Sequence, residues 1–242
     1  MVLGHRGGRG EGWPAENSLA AFARAIAEGA DGVELDVRLT ADGVPVVFHD
    51  PWLARGSAGA AAPSLARMTA AELPRLADGE PIPRLVDALD ALRGHVVNVE
   101  IKTDVAAVSL LRNVPDRVRL VQATVAAVNR APGAEVLFSS FDPLVVTALA
   151  AMAPRVPRAI LVDVSMARAA TAVALAMRPV IVAAHLHDRL LTPVRVERLT
   201  RAGLRLGAWA VQDPARALEL VALGVRWLIT DAPAVLVSAL RP

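Results

Sequence analysis

Residues 32–39 read GVELDVRL and residues 96–104 read VVNVEIKTD. In an extended strand, residues two apart share a face. Glu34 and Asp36 therefore point one way, and Val33, Leu35 and Val37 point the other. The second stretch repeats the device, with Asn98, Glu100 and Lys102 on one face and Val97, Val99 and Ile101 on the other. In a barrel the apolar set packs on the surrounding helices, which aims the polar set at the lumen. Three acids and one lysine then converge near the C-terminal mouth of two adjacent strands. Lys102 is the only lysine in the chain.

Outward from these two stretches, short β-rich apolar runs alternate with longer helical patterns. Strands are expected at 2–4, 32–39, 96–101, 135–138, 158–162, 180–183, 205–209 and 227–229, with a hairpin-like extension at 44–48. Helices are expected at 18–28, 86–92, 118–129, 143–153, 165–176, 194–202, 214–223 and 234–240, several opening with a capping residue or proline in the first turn. Eight strand–helix units in 242 residues is the arithmetic of an α/β (β/α)8 TIM barrel, for which about 250 residues is typical. The stretch 51–83, rich in Ala, Gly and Pro, fits no repeat and reads as an irregular excursion at the barrel mouth after the second strand. The chain 1–242 is thus expected to be one domain. A doubly wound nucleotide-binding sheet fits less well, because GHRGGRGEG at 4–12 lacks the G-x-G-x-x-G spacing that opens directly into a helix.

Composition narrows the function. Apolar residues make up 54% of the chain, yet the most apolar region, 136–153, is interrupted by Asp142-Pro143, so core elements are expected rather than stable membrane insertion. Net charge is +2 and aromatics are 3%, which leaves few stacking platforms and argues against a nucleic-acid partner. Cysteine is absent, which excludes disulfides and thiolate metal sites. The start, MVLGHRGGRG, has no apolar run after a basic segment, so a cytoplasmic location is expected.

Three inward carboxylates close together repel one another and lose solvation, and both effects raise their pKa values. A bound divalent cation offsets this, and all-oxygen ligands select a hard ion such as Mg2+, Ca2+ or Mn2+. The competing reading is a buried ion-pair network without metal. His5 ends the first strand and His49 ends the strand extension, on the same face as the acids, so the two can serve as general acid and base near neutral pH. Arg6 can clamp a phosphate or carboxylate with its two-pronged head. His95 is expected at the opposite face. His185 and His187 are expected in a polar loop after the sixth strand, with a second metal site as the alternative, and Arg9 and Glu11 as solvated charges.

GHRG at 4–7, ENSLAAFARAIAEGADGVELDVRLTADGVPVVFHD at 16–50, MTAAELPRL at 68–76, IPRL at 82–85 and NVEIK at 98–102 closely resemble the glycerophosphodiester phosphodiesterase family. FSSFDP at 138–143, AWAVQDP at 208–214 and GVRWLITDAP at 224–233 resemble its downstream blocks, in the family's order. The resemblance implies a TIM barrel that hydrolyses small glycerophosphodiesters, such as glycerophosphocholine or glycerophosphoethanolamine, to glycerol 3-phosphate and an alcohol. It implies a divalent metal on Glu34, Asp36 and Glu100, with Mg2+ or Ca2+ first and Mn2+ also suited. His5 and His49 would be the acid–base pair, and Arg6 and Lys102 would hold the phosphate. Trp209 would pack on the glycerol, Asn17 would reach the site from the start of the first helix, and Phe141 would form a pocket wall.

The sequence also departs from the family. Pro14-Ala15-Glu16-Asn17-Ser18 stands where the family usually has Pro-Glu-Asn-Thr, so the amide and a hydroxyl are retained. After His49-Asp50 the alanine-rich LARGSAGAAAPS keeps Arg55 but implies a reduced insertion over the site. Ala210, Val211 and Gln212 replace the usual residues after the tryptophan. Rival functions are a Schiff-base lysine at Lys102, a lysophospholipase D-like activity on the same residues, and a catalytically silent barrel that binds glycerol phosphates.

Overall fold

The computed structural model describes residues 1–53, 63–103 and 113–241. Nine strands form its sheet: β1 (Val2–His5), β2 (Gly32–Leu39), β3 (Pro45–Val47), β4 (Val96–Ile101), β5 (Glu135–Ser140), β6 (Arg158–Val162), β7 (Ala183–His187), β8 (Arg205–Trp209) and β9 (Trp227–Thr230). All pair in parallel around the ring except β3, which runs antiparallel to β2 outside it. The β1–β2 and β1–β9 pairings close the sheet, so the fold is the expected (β/α)8 barrel. The helices are α1 (Leu19–Ala27), α2 (Leu85–Ala91), α3 (Val114–Arg130), α4 (Pro143–Met152), α5 (Ala170–Met177), α6 (Pro193–Arg201), α7 (Pro214–Ala222) and α8 (Pro233–Leu240).

Local chemistry starts the helices. The Ser18 hydroxyl accepts from Ala21 N at the head of α1. Asp142 and Asp213 accept from Leu144 N and Ala215 N ahead of the prolines that open α4 and α7. These caps satisfy amides that have no partner inside the helix. The apolar strand faces then decide the packing. Val33, Leu35, Val37, Val97, Val99 and Ile101 are all buried in one core with Phe22, Leu85, Leu89 and Val121 of the surrounding helices. Each such side chain contributes about 1.5–3 kcal/mol on burial.

Inside the ring, Leu3, Val96, Leu137, Ala159, Ala183, Trp227 and Ile229 plug the lower lumen. Gly32 is required here, because a Cβ would stand 1.8 Å from Val96 O. Above the plug the lumen turns polar, with Asn98, Ser139 and His185 all buried.

Some expectations shift. The strand expected at 180–183 lies at Ala183–His187. The apolar run at 180–182 drew the expectation forward, and the histidines disguised the strand. His185 is therefore not in a loop: it is fully buried in the lumen, its ring 5.4 Å from that of Trp227. Gly207 leaves it room, since a Cβ there would stand 2.5 Å from the imidazole. Among the described residues, the one trio of acids or histidines placed to share an ion is Glu34, Asp36 and Glu100, and neither His185 nor His187 joins it. The helix expected at 118–129 begins earlier, at Val114, with Pro115 in its first turn. That expected at 165–176 splits into one turn of 3-10 helix, Val164–Met166, and α5.

Of the excursion, residues 63–83 hold two short 3-10 turns, Leu65–Arg67 and Ala70–Glu72, the second with a capping box between Thr69 and Glu72. Leu65, Val46 and Ile82 anchor it in a small apolar cluster. Arg55 lies outside the described residues. Among the described residues no helix is long and apolar enough to cross a membrane.

Candidate active site

Strand register builds the centre. β2 and β4 align Glu34 with Asn98 and Asp36 with Glu100, so the two inward rows stand side by side. One carboxylate oxygen from each of Glu34, Asp36 and Glu100 lies within 4.8 Å of the others, and all three side chains are buried. Lys102, just past the end of β4, sets its Nζ 2.5 Å from Glu100 Oε1 and 3.1 Å from Asp36 Oδ1. Arg6 places Nε 3.0 Å from Asp36 Oδ2 and donates Nη1 to Glu16 at 2.9 Å. Its backbone N–H also donates to Glu34 Oε2 at 3.1 Å.

The electrostatics split the acids. Burial raises the Glu34 pKa well above its ordinary value, and the charges of Asp36 and Glu100 push it further. Glu100 is also raised by burial, against the pull of Lys102. Burial acts on Asp36 in the same direction, but Lys102 and Arg6 outweigh it and hold that carboxyl below its usual range. Asp36 is thus the ionised anchor of both cations. Glu34 Oε1 is buried with no hydrogen-bond partner, and so is the Asn98 amide beneath it.

Asn17 sits at the head of α1, and its Nδ2 donates to Asp36 Oδ2 at 2.9 Å. Arg6 and Asn17 both adopt left-handed backbone, at φ 53° and 63°, and Asn17 N donates to Arg6 O at 2.9 Å. Such conformations cost about 1–3 kcal/mol in non-glycine residues and persist where surrounding bonds over-determine them.

The two histidines are each backed by an acid. His5 Nδ1 is 2.6 Å from Asp231 Oδ1, which leaves Nε2 facing Glu34 at 3.8 Å. His49 Nδ1 is 2.6 Å from Asp50 Oδ1, and Arg38 Nε donates to the His49 carbonyl at 2.7 Å. Burial lowers the His49 pKa, opposed by the charge of Asp36. On the far side of the mouth, the Trp209 ring meets Phe141 edge-on at 5.4 Å and His187 at 5.3 Å. Lys102 Nζ lies 5.7 Å over the Phe141 ring, so this aromatic wall borders the cations.

The ten residues expected at the site, His5, Arg6, Asn17, Glu34, Asp36, His49, Glu100, Lys102, Phe141 and Trp209, gather at this mouth. Asp231 was not foreseen beside the site, and Arg9, expected as a solvated charge, is exposed but also ion-paired. Arg9 Nη2 donates to Asp231 Oδ2 at 2.9 Å, and Arg9 Nη1 lies 3.5 Å from Glu16 Oε2. Gln212 Nε2 donates to the same Asp231 carboxylate at 2.7 Å. The available signal was barrel closure, which brings the end of β9 beside the end of β1.

A barrel mouth that gathers buried carboxylates, two acid-backed histidines and paired cations has the make-up of a hydrolase for an anionic ester. The chain belongs to the glycerophosphoryl diester phosphodiesterase family, whose model matches residues 5–235. It is an enzyme of glycerophosphodiester hydrolysis. A glycerophosphodiester phosphodiesterase of Caldanaerobacter subterraneus subsp. tengcongensis is 28% identical over 253 residues, covering 100% of this chain and 98% of its own. A probable glycerophosphodiester phosphodiesterase 2 of Mycobacterium tuberculosis is 31% identical, covering 96% of this chain and 87% of its own. An Oleispira antarctica phosphodiesterase, solved with the product sn-glycerol-3-phosphate, superposes with a TM-score of 0.83 at 27% identity, covering 100% of this chain and 97% of its own.

Proposed function

We propose that the chain hydrolyses small glycerophosphodiesters, such as glycerophosphocholine or glycerophosphoethanolamine, to glycerol 3-phosphate and an alcohol, with a divalent cation on Glu34, Asp36 and Glu100. The observation that carries this reading is the buried carboxylate trio, in which Glu34 keeps an unpartnered oxygen. An unsatisfied buried acceptor costs about 1–3 kcal/mol, a cost that a cation held on this oxygen would offset. The all-oxygen set fits a hard ion, Mg2+ or Ca2+, with Mn2+ also suited. When bound, that ion supplies positive charge at a non-bridging phosphate oxygen.

The chain's own residues do the rest. Arg6 and Lys102 hold the other phosphate oxygens and offset the charge that grows in the transition state. Trp209 and Phe141 pack on the glycerol, and Asn17 holds Asp36 in place. One histidine of the pair His5 and His49 takes the proton of the glycerol 2-hydroxyl as that oxygen attacks phosphorus. The other gives a proton to the alcohol oxygen as its bond to phosphorus breaks. Water then opens the cyclic phosphate with the two proton transfers reversed. A groove of about 490 Å3 beside His49, walled by Trp13, Phe48, Trp52 and Leu76, supports a place for the departing alcohol. In the same reading residues 1–242 form one catalytic domain with 51–83 as a reduced insertion, acting on soluble substrate in the cytoplasm.

The deciding experiment is turnover of glycerophosphocholine and of bis(p-nitrophenyl) phosphate, with and without EDTA, in wild type and His5→Ala. The expected result is metal-dependent turnover that the substitution abolishes. Activity indifferent to EDTA, or none on any glycerophosphodiester, overturns the reading. A 2-deoxy analogue cleaved at full rate overturns the attack by the 2-hydroxyl.

A further inference from the structure

At the end of the barrel away from the carboxylates, the segments that lead into β6, β7 and β8 and the first residues of β6 and β8 border an open recess of about 430 Å3. Arg155, Arg158, Arg178 and Arg205 line it, and no acidic residue does. Arg158 is the half-buried member. Its Nε donates to Val180 O at 2.5 Å, and its Nη1 donates to Val156 O at 3.0 Å and Pro154 O at 3.4 Å. Three carbonyls thus fix the direction of this guanidinium, yet none cancels its charge. Burial lowers the Arg158 pKa, with no acid acting in the other direction.

The other three arginines are exposed, and none of them forms an ion pair among the described residues. Some exposed arginines elsewhere pair with an acid, as Arg84 and Arg201 do, and others such as Arg168 and Arg198 do not among the described residues; what sets this recess apart is four arginines and no acid in one lining. Four guanidinium groups around one recess repel one another, and an anion that enters relieves the repulsion. Arg158 keeps only Nη2 to donate, whereas the exposed guanidinium groups of Arg155, Arg178 and Arg205 can each present two parallel donors that match a phosphoryl group. Groups set on and just before three separate strands, β6, β7 and β8, call for a ligand with more than one such group. The recess is concave, which suits a small molecule better than a flat membrane face.

We propose that this recess binds a small soluble polyanion bearing two or more phosphoryl groups, at a site separate from the phosphodiester centre. The site does not depend on the reading of the active-site chemistry, because no residue is shared.

The test is calorimetric titration with inorganic tripolyphosphate, with Mg2+ in excess. Wild type is compared with Arg178→Ser/Arg205→Ser and with Arg168→Ser/Arg198→Ser, which removes equal charge from other exposed positions. The expected result is saturable binding by wild type and by the second variant, weakened by salt. The first variant should bind about tenfold more weakly or worse, a difference of about 1.4 kcal/mol. Turnover and unliganded melting temperature should be unchanged in both variants. Equal affinity in all three proteins, or no binding by wild type, overturns the proposal. Binding to phosphatidylglycerol vesicles without binding to tripolyphosphate also overturns it, in favour of surface docking.

Discussion

His5 Nδ1 lies 2.6 Å from Asp231 Oδ1, a bond that joins residues 226 positions apart. It forms because β1 and β9 are neighbours in the closed ring, with Gly4 opposite Thr230. Arg9 and Gln212 hold the same carboxylate from other sides, so the imidazole rests on an anchored partner.

Asp231→Asn keeps the shape but removes the charged partner that orients the His5 ring. Turnover should fall at least about tenfold, with a smaller change in KM, since acid–base catalysis by a positioned side chain is worth about 100-fold or more. Steady-state kinetics on glycerophosphocholine checks this, and a change confined to KM would remove Asp231 from the proton-transfer machinery.

Lys102 sits 2.5 Å from Glu100 and 3.1 Å from Asp36, a gap suited to a compact ammonium. A guanidinium is wider, planar and differently directed. Lys102→Arg should fold, by circular dichroism and melting, and lose most turnover. Full activity in that variant would reduce the lone lysine to an accident of composition.

Ions that bind only the folded state stabilise it by mass action, about 2.7 kcal/mol at a hundredfold excess over Kd. Adding Mg2+ or Ca2+ to EDTA-treated protein should therefore raise the melting temperature. In Glu34→Gln the rise should shrink or vanish, because the carboxylate with the unpartnered oxygen is gone. An equal rise in both proteins would place the ion elsewhere.

Burial lowers the His185 pKa from 6.5 to about 4, so the folded state favours the neutral ring. Its contribution is complete above the unfolded pKa of 6.5 and is lost as pH falls toward 4. At one pKa unit per 1.36 kcal/mol, the loss is on the order of 3 kcal/mol. His185→Met has no ring to protonate, so the stability gap between wild type and variant should narrow or reverse from pH 7 to pH 4.5. Urea midpoints at the two pH values measure it, and a gap independent of pH would show that His185 is not the acid-sensitive group.

Much of the fold and the centre was legible because a strand's side-chain period is two. That period alone placed Glu34, Asp36, Glu100 and Lys102 on inward faces, and the β2–β4 register set them beside one another. The His185 strand was harder to read. Its polar residues face a buried polar lumen, so the usual contrast between apolar core and polar surface was missing.

Asp231 shows where reading along the chain stops. The sequence by itself determined the barrel's strand–helix alternation and the inward faces of Glu34 and Asp36 and of Glu100 and Lys102, because each follows from periodicity within one segment. Only the tertiary structure decided that Asp231 backs His5, that Arg9 pairs with that same acid, and that four arginines at the starts of three strands line one recess. Those relations arise from ring closure and loop convergence. They join residues that no local periodicity connects.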